Sequence, residues 1–189
     1  MTQIVRSIRS EPQAQPERLQ LVGGTQLRFL LRKLSLRRGQ TVVVIGCPEL
    51  DAVRNLADCV GDTGSISILL TPEQLQFGRH YVEQLEQLAS KVHQLTVGKL
   101  GPSLESQQAD AMVIMPDRLM PPYEPLLDQA WRRLNSGGRL MLVLPHGEAH
   151  TQRLYELIDT ACQCGFVSRY RRCCDKHTAW VGVKYSNKS

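Results

Sequence analysis

The stretch TVVVIGCPEL, residues 41–50, constrains what this chain can fold into more than any other. Five apolar or near-apolar residues in a row, rich in β-branched types and closed by a glycine, predict a strand buried on both faces at the centre of a parallel sheet. A helix is expected directly after it. In a doubly wound fold the ligand crevice opens at the carboxyl end of such a strand, which places Gly46, Cys47, Pro48, Glu49 and Leu50 along its lip.

With 189 residues the chain suits a single domain with a substantial core. Residues 1–16 carry two prolines, several Gln and Ser and no apolar period, so they are expected to form a flexible arm, with one domain over 17–189. No run of about 18 apolar residues occurs and the start lacks an apolar stretch of signal-peptide type, so a cytoplasmic protein with no membrane span is expected.

The net charge of +5 is unevenly spread. Residues 1–39 hold eight Lys or Arg against two acids, and residues 165–189 hold six against one, which leaves nine against fifteen in the middle. Basic ends on an acidic body can steer the chain toward phosphate groups, a nucleic acid or an acidic partner, or can simply be wet surface. Only 5% of residues are Phe, Trp or Tyr, and nucleic-acid modules usually cluster aromatics, so the composition favours plain solvation.

Read in order, the chain alternates strands and helices. A helix from an N-cap at Thr25 to about Leu36 carries Arg28, Arg32, Lys33, Arg37 and Arg38 on its polar side. Residues 50–60 have helical spacing, GSISILL over 64–70 is a second strand, and Thr71-Pro72-Glu73 opens a helix to about Ala89 with a capping residue followed by proline. Further strands are expected over 92–97, 111–115 and 139–145. Helices are expected over 124–134 and 148–164, with Asn135-Ser136-Gly137-Gly138 as a C-capping turn. Residues 166–172 and 178–185 are too close in sequence to pair other than as an antiparallel hairpin with alternating faces.

This order resembles the class I S-adenosylmethionine-dependent methyltransferase family over roughly residues 25–185. LRRGQTVVVIGC is similar to the family's first strand and loop, GDTGSISILLTPEQL to its second strand and ribose loop, and AWRRLNSGGRLMLVLP to the approach to its fifth strand. The resemblance implies an α/β fold: a seven-stranded, doubly wound, mostly parallel sheet of order 3-2-1-4-5-7-6 with its last strand antiparallel and helices on both faces. It implies S-adenosylmethionine as cofactor, held near Gly46, Cys47, Glu49, Leu70, Thr71 and Lys99.

Those positions depart from the family pattern. Val44 stands where the family has an acid, Pro48 replaces the second glycine and Leu50 the third; proline removes one N–H, and leucine adds bulk where backbone contact is needed. Leu70 ends strand two where an acid would accept both ribose hydroxyls, and Lys99 stands where a carboxylate near the adenine is usual. If each of three departures costs about 1.4 kcal/mol, affinity falls roughly a thousandfold. Glu49 and Asp51 are acids that can either complement the following helix's dipole or reach a ligand ribose or amine.

Asp117, just past strand four, and His146, after strand five, are the candidate catalytic residues, His146 as a general base on the edge shared with Gly46. Met115-Pro116-Asp117 does not match the family's amino-methylating tetrapeptide. Cys162, Cys164, Cys173, Cys174 and His177 lack zinc-knuckle spacing, so no metal is expected; Cys162 and Cys173 are expected to pack as small apolar groups. The leading expectation is a methyltransferase-fold protein with weak or absent cofactor binding, acting as a partner or scaffold subunit or as a homo-oligomer through its basic ends. An active methyltransferase, or a module for another nucleotide or metabolite, remain the alternatives.

Overall fold

A computed structural model describes residues 31–101, 108–115, 121–173 and 177–185. Among the described residues the main elements run in the order β1 (Thr41–Ile45), α1 (Leu50–Val60), β2 (Ser65–Leu70), α2 (Pro72–Phe77), α3 (Arg79–Ala89), β3 (Leu95–Lys99), β4 (Ala109–Ile114), α4 (Glu124–Arg133), β5 (Leu134–Pro145), α5 (Glu148–Gln163), β6 (Val167–Cys173) and β7 (His177–Val183), the last two forming a terminal hairpin. The seven strands form one sheet of order β3-β2-β1-β4-β5-β7-β6. All pairs are parallel except those that β7 makes with β5 and β6. This is the architecture expected from the sequence.

β1 lies at the centre because its side chains suit no other place. Val42 and Val44 face one core with α1 and α3, through Val53, Leu56 and Leu85. Val43 and Ile45 face the other, with α4 and α5, through Leu127, Leu154 and Leu157. All four β1 residues are fully buried, as a strand covered by helices on both sides requires.

Several boundaries differ from the expectation, each for a local reason. The helix expected over 72–89 is two, because Gly78 (φ −104°, ψ 28°) leaves helical geometry between α2 and α3. β3 runs two to three residues later than expected, with Leu70 level with Lys99. Asn135 to Gly138 belong to β5 rather than to a turn: the Gly137 N–H donates to the Lys184 carbonyl and the Lys184 N–H to that of Gly138, so the segment is held beside the end of β7. The hairpin strands do not alternate. β7, inserted between β5 and β6, is buried throughout, whereas β6 is the sheet edge and is mostly exposed. The helix read from Thr25 is described only from residue 31 and ends at 33, short of Leu36; Thr25, Arg28 and the arm over 1–16 lie outside the described residues. No helix among the described residues is long and apolar enough to cross a membrane.

Trp180, the largest wholly buried side chain among the described residues, folds back over Gly182 two residues along β7, so that a Cβ at Gly182 would clash with the indole. Its Nε1–H donates to the Ser168 hydroxyl at 2.8 Å, which fixes the ring. Gly182→Ala therefore overpacks this corner and should lower stability by about 1–3 kcal/mol. Urea unfolding checks this, and an unchanged midpoint would show that the indole moves freely.

Candidate functional site

The carboxyl edge of β1, β2 and β3 gathers the residues expected to meet a cofactor. Gly46 leaves β1 with φ +121°, a conformation that L side chains rarely adopt, and its N–H donates to the Leu69 carbonyl at 3.1 Å. Its bare face is already in contact. A Cβ there would lie 2.8 Å from Met115 Cβ and 3.1 Å from the Met115 carbonyl, and the Met115 N–H donates to the Ile45 carbonyl at 2.9 Å.

The rest of this loop is packed from beneath. Cys47 is buried, and Tyr81 of α3 donates its hydroxyl to the Pro48 carbonyl. Burial pushes the Tyr81 hydroxyl far above the ordinary tyrosine range, with the neighbouring Cys47 thiol as a smaller cause. Glu49 is the N-cap residue of α1, half-buried, and its side chain makes no capping hydrogen bond. Asp51, one residue into the helix, pairs with Arg54 at 2.6 Å on the surface.

At the end of β2, Leu70 is fully buried and offers no polar atom. Thr71 follows as the N-cap of α2, in a closed capping box: its N–H donates to Gln74 Oε1 at 2.9 Å, and its hydroxyl accepts from the Gln74 N–H at 3.2 Å. Both groups are engaged within the turn. Lys99, exposed at the end of β3, puts a cation beside this pair. Tested against an adenosyl ligand, the buried Leu70 supplies no carboxylate for a ribose at the end of β2, and Glu49 is the acid left at the lip.

The two candidate catalytic residues fare differently. Asp117 lies outside the described residues, as does Cys174. His146 stands on the expected sheet edge, but on the flank where β5 overruns its neighbours. Ile45 is level with Ile114 and Ile114 with Leu142, so His146 lies three residues beyond the level of Gly46 and two strands across, roughly 14 Å away by ordinary strand spacing. Its Nδ1 lies 3.0 Å from Cys173 Sγ, and the Thr178 hydroxyl lies 3.4 Å from the same sulfur. The sequence held both residues, but their meeting depends on β7 lying between β5 and β6.

The cysteines correct one expectation: Cys162 and Cys173 are exposed rather than packed, because α5 turns Cys162 outward and Cys173 ends the edge strand. Desolvation, with Asp159 nearby, pushes the Cys162 thiol up; for Cys164 desolvation acts with Asp128 and then Glu124. Both are held toward the protonated, unreactive form. Among the described residues no group of three or more His, Cys, Asp or Glu is placed to hold a metal ion. Tyr81, which the sequence reading did not single out, and Met115, which it weighed only against the amino-methylating tetrapeptide, are side chains packed at this edge. Their only signal was apolar spacing in α3 and the end of β4.

The fold is that of the class I S-adenosylmethionine-dependent methyltransferases. An S-adenosylmethionine-dependent O-methyltransferase from Thermotoga maritima superposes with a TM-score of 0.66 at 18% identity, covering 92% of this chain and 69% of that one. A methyltransferase of the same cofactor class from Aquifex aeolicus gives 0.67 at 13% identity, covering 83% and 88%. Fibrillarin from Aeropyrum pernix, in complex with natively bound S-adenosyl-L-methionine, gives 0.62 at 13%, covering 85% and 74%. At such identities the likeness defines the fold alone. No protein-family model matches the chain, and no curated protein matches it.

The Tyr81 hydroxyl gives this edge a pH signature. Its folded-state pKa lies above the unfolded value of 10.0, so its contribution to stability is complete below that pH and is lost as pH rises further. Urea midpoints should fall above about pH 10, and Tyr81→Phe should flatten that fall while costing about 1 kcal/mol at neutral pH for the lost hydrogen bond. An alkaline limb identical in both proteins would contradict this.

Proposed function

We propose that this protein keeps the methyltransferase architecture without productive binding of S-adenosylmethionine and works as a partner or scaffold subunit. The observation that carries this reading is the end of β2, where Leu70 is buried and the polar groups of Thr71 and Gln74 satisfy one another. A ribose placed there finds no carboxylate to accept its hydroxyls, and each buried hydroxyl left without a partner costs about 1–3 kcal/mol. Met115, the neighbour of Gly46 on the adjacent strand, leaves no room for a larger residue at Gly46. The exposed cations of residues 31–38, namely Arg32, Arg37 and Arg38, together with Arg169, Arg171 and Arg172 on β6, supply contact surface for a partner.

A second reading is favoured by Glu49. Half-buried at the lip and unused as a helix cap, it is an acid that can take a ribose or amine from the opposite side of the loop, and an active methyltransferase would then depend on it. Calorimetric titration with S-adenosylmethionine and S-adenosylhomocysteine separates the two. The first reading predicts no saturable heat up to about 1 mM, equivalent to less than about 4 kcal/mol of binding. Micromolar binding that Glu49→Gln abolishes would replace it with the second.

A further inference from the structure

The amino edge of the sheet, opposite the crevice, holds a cavity of about 500 Å³ between β5, β6, β7 and the segment around residue 33. Lys33, Arg139 and Arg169 line it, and its described lining contains no acidic residue. Arg139 is set by neutral oxygens, donating to the Lys33 carbonyl at 2.7 Å and the Ser35 hydroxyl at 2.6 Å. Ser35, also in the lining, has φ +49°, a left-handed conformation that a serine holds only at a cost.

Aromatic rings lie beside these cations. Lys33 Nζ is 4.9 Å from the centre of the Tyr170 ring, and the Arg169 guanidinium is 5.0 Å from that of Tyr185 and donates to its hydroxyl. On the opposite face of the sheet the Arg171 guanidinium stands 4.3 Å from the centre of the Tyr155 ring. Two of the five tyrosines, Tyr170 and Tyr185, thus stand beside the cations of the cavity, and Tyr185 is 42% exposed. The scarcity of aromatics overall conceals this concentration. Arginines on a sheet edge also discourage pairing with other chains. That role accounts for the charges on β6 but not for the tyrosines beside them, nor for a basic cavity floored by Val181 and Val183.

We propose that this cavity, with the start of β6 beside it, forms a binding site for single-stranded nucleic acid. Phosphates lie against Lys33, Arg139 and Arg169, and an unpaired base stacks on the exposed Tyr185 ring. Cations tracking a backbone beside flat aromatic surfaces are the chemistry that single strands use, and duplexes, whose bases are already stacked, cannot use the rings. This face lies at the far edge of the sheet from Gly46 and does not depend on whether the crevice takes a cofactor.

Fluorescence anisotropy with a labelled single-stranded oligonucleotide of about a dozen mixed-sequence residues tests the proposal. Binding should weaken as salt rises, with a log–log slope near −2 for three phosphate contacts at about 0.7 each. Lys33→Glu and, separately, Arg169→Glu should weaken binding at least about tenfold. Tyr185→Ala should weaken it by about tenfold, while Tyr185→Phe, which keeps the ring, should not. Four results would overturn the proposal: no binding at low salt, affinity indifferent to both charge reversals, equal or tighter binding of a duplex of the same sequence, or binding of adenosine monophosphate with none of the oligonucleotide.

Discussion

Gly46 can turn out of β1 only because it has no side chain, and the space this leaves is filled by Met115 at the end of β4. The same two strands are joined there by the hydrogen bond from the Met115 N–H to the Ile45 carbonyl. A contact that is sub-van der Waals for any larger residue therefore fixes where β1 and β4 part, and it is at such a parting that an open α/β sheet forms its ligand crevice. Tyr81 below the loop and the capping box beside it complete a rim whose polar groups are largely matched to one another. Groups already satisfied within the protein gain little from a ligand, since an added hydrogen bond there only replaces an existing one.

The opposite flank obeys a different constraint. β7 enters the sheet antiparallel between β5 and β6, so it is buried on all sides and β6 is left as the edge. An edge strand has half of its backbone groups facing outward, and charged residues there keep the molecule from pairing with copies of itself. The arginines of β6 meet that need, and because α5 and the end of β7 bring Tyr155 and Tyr185 alongside, the edge also acquires flat apolar faces. The fold thus presents two unlike ends: a carboxyl edge packed by its own side chains, and an amino edge with a basic cavity.

Much of the architecture was legible in the sequence because it follows from short-range patterns. The run from Thr41 to Ile45 marks a doubly covered strand, and Thr71-Pro72 marks a helix start whose capping box the structure contains. The turn-rich 135–138 segment misled, because glycine pairs serve bulged strands as well as helix ends, and only the partner strand from the distant end of the chain decides which. The replacement of acceptors at Leu70 and Lys99 was readable residue by residue. What filled the vacated chemistry was not, since Met115 and Tyr81 reach the loop through tertiary packing. The pairing of His146 with Cys173 and the gathering of tyrosines beside β6 were hidden for the same reason: both depend on strand order, not on spacing.

Under the proposed function, the rim formed by Gly46, Cys47, Leu70 and Thr71 takes no adenosyl ligand. Amide resonances of a uniformly ¹⁵N-labelled sample during titration with S-adenosylhomocysteine test it most directly, because they report each of these residues separately. The account predicts that the four amides stay in place throughout. A saturable shift clustered on Gly46, Leu70 and Thr71 would contradict it.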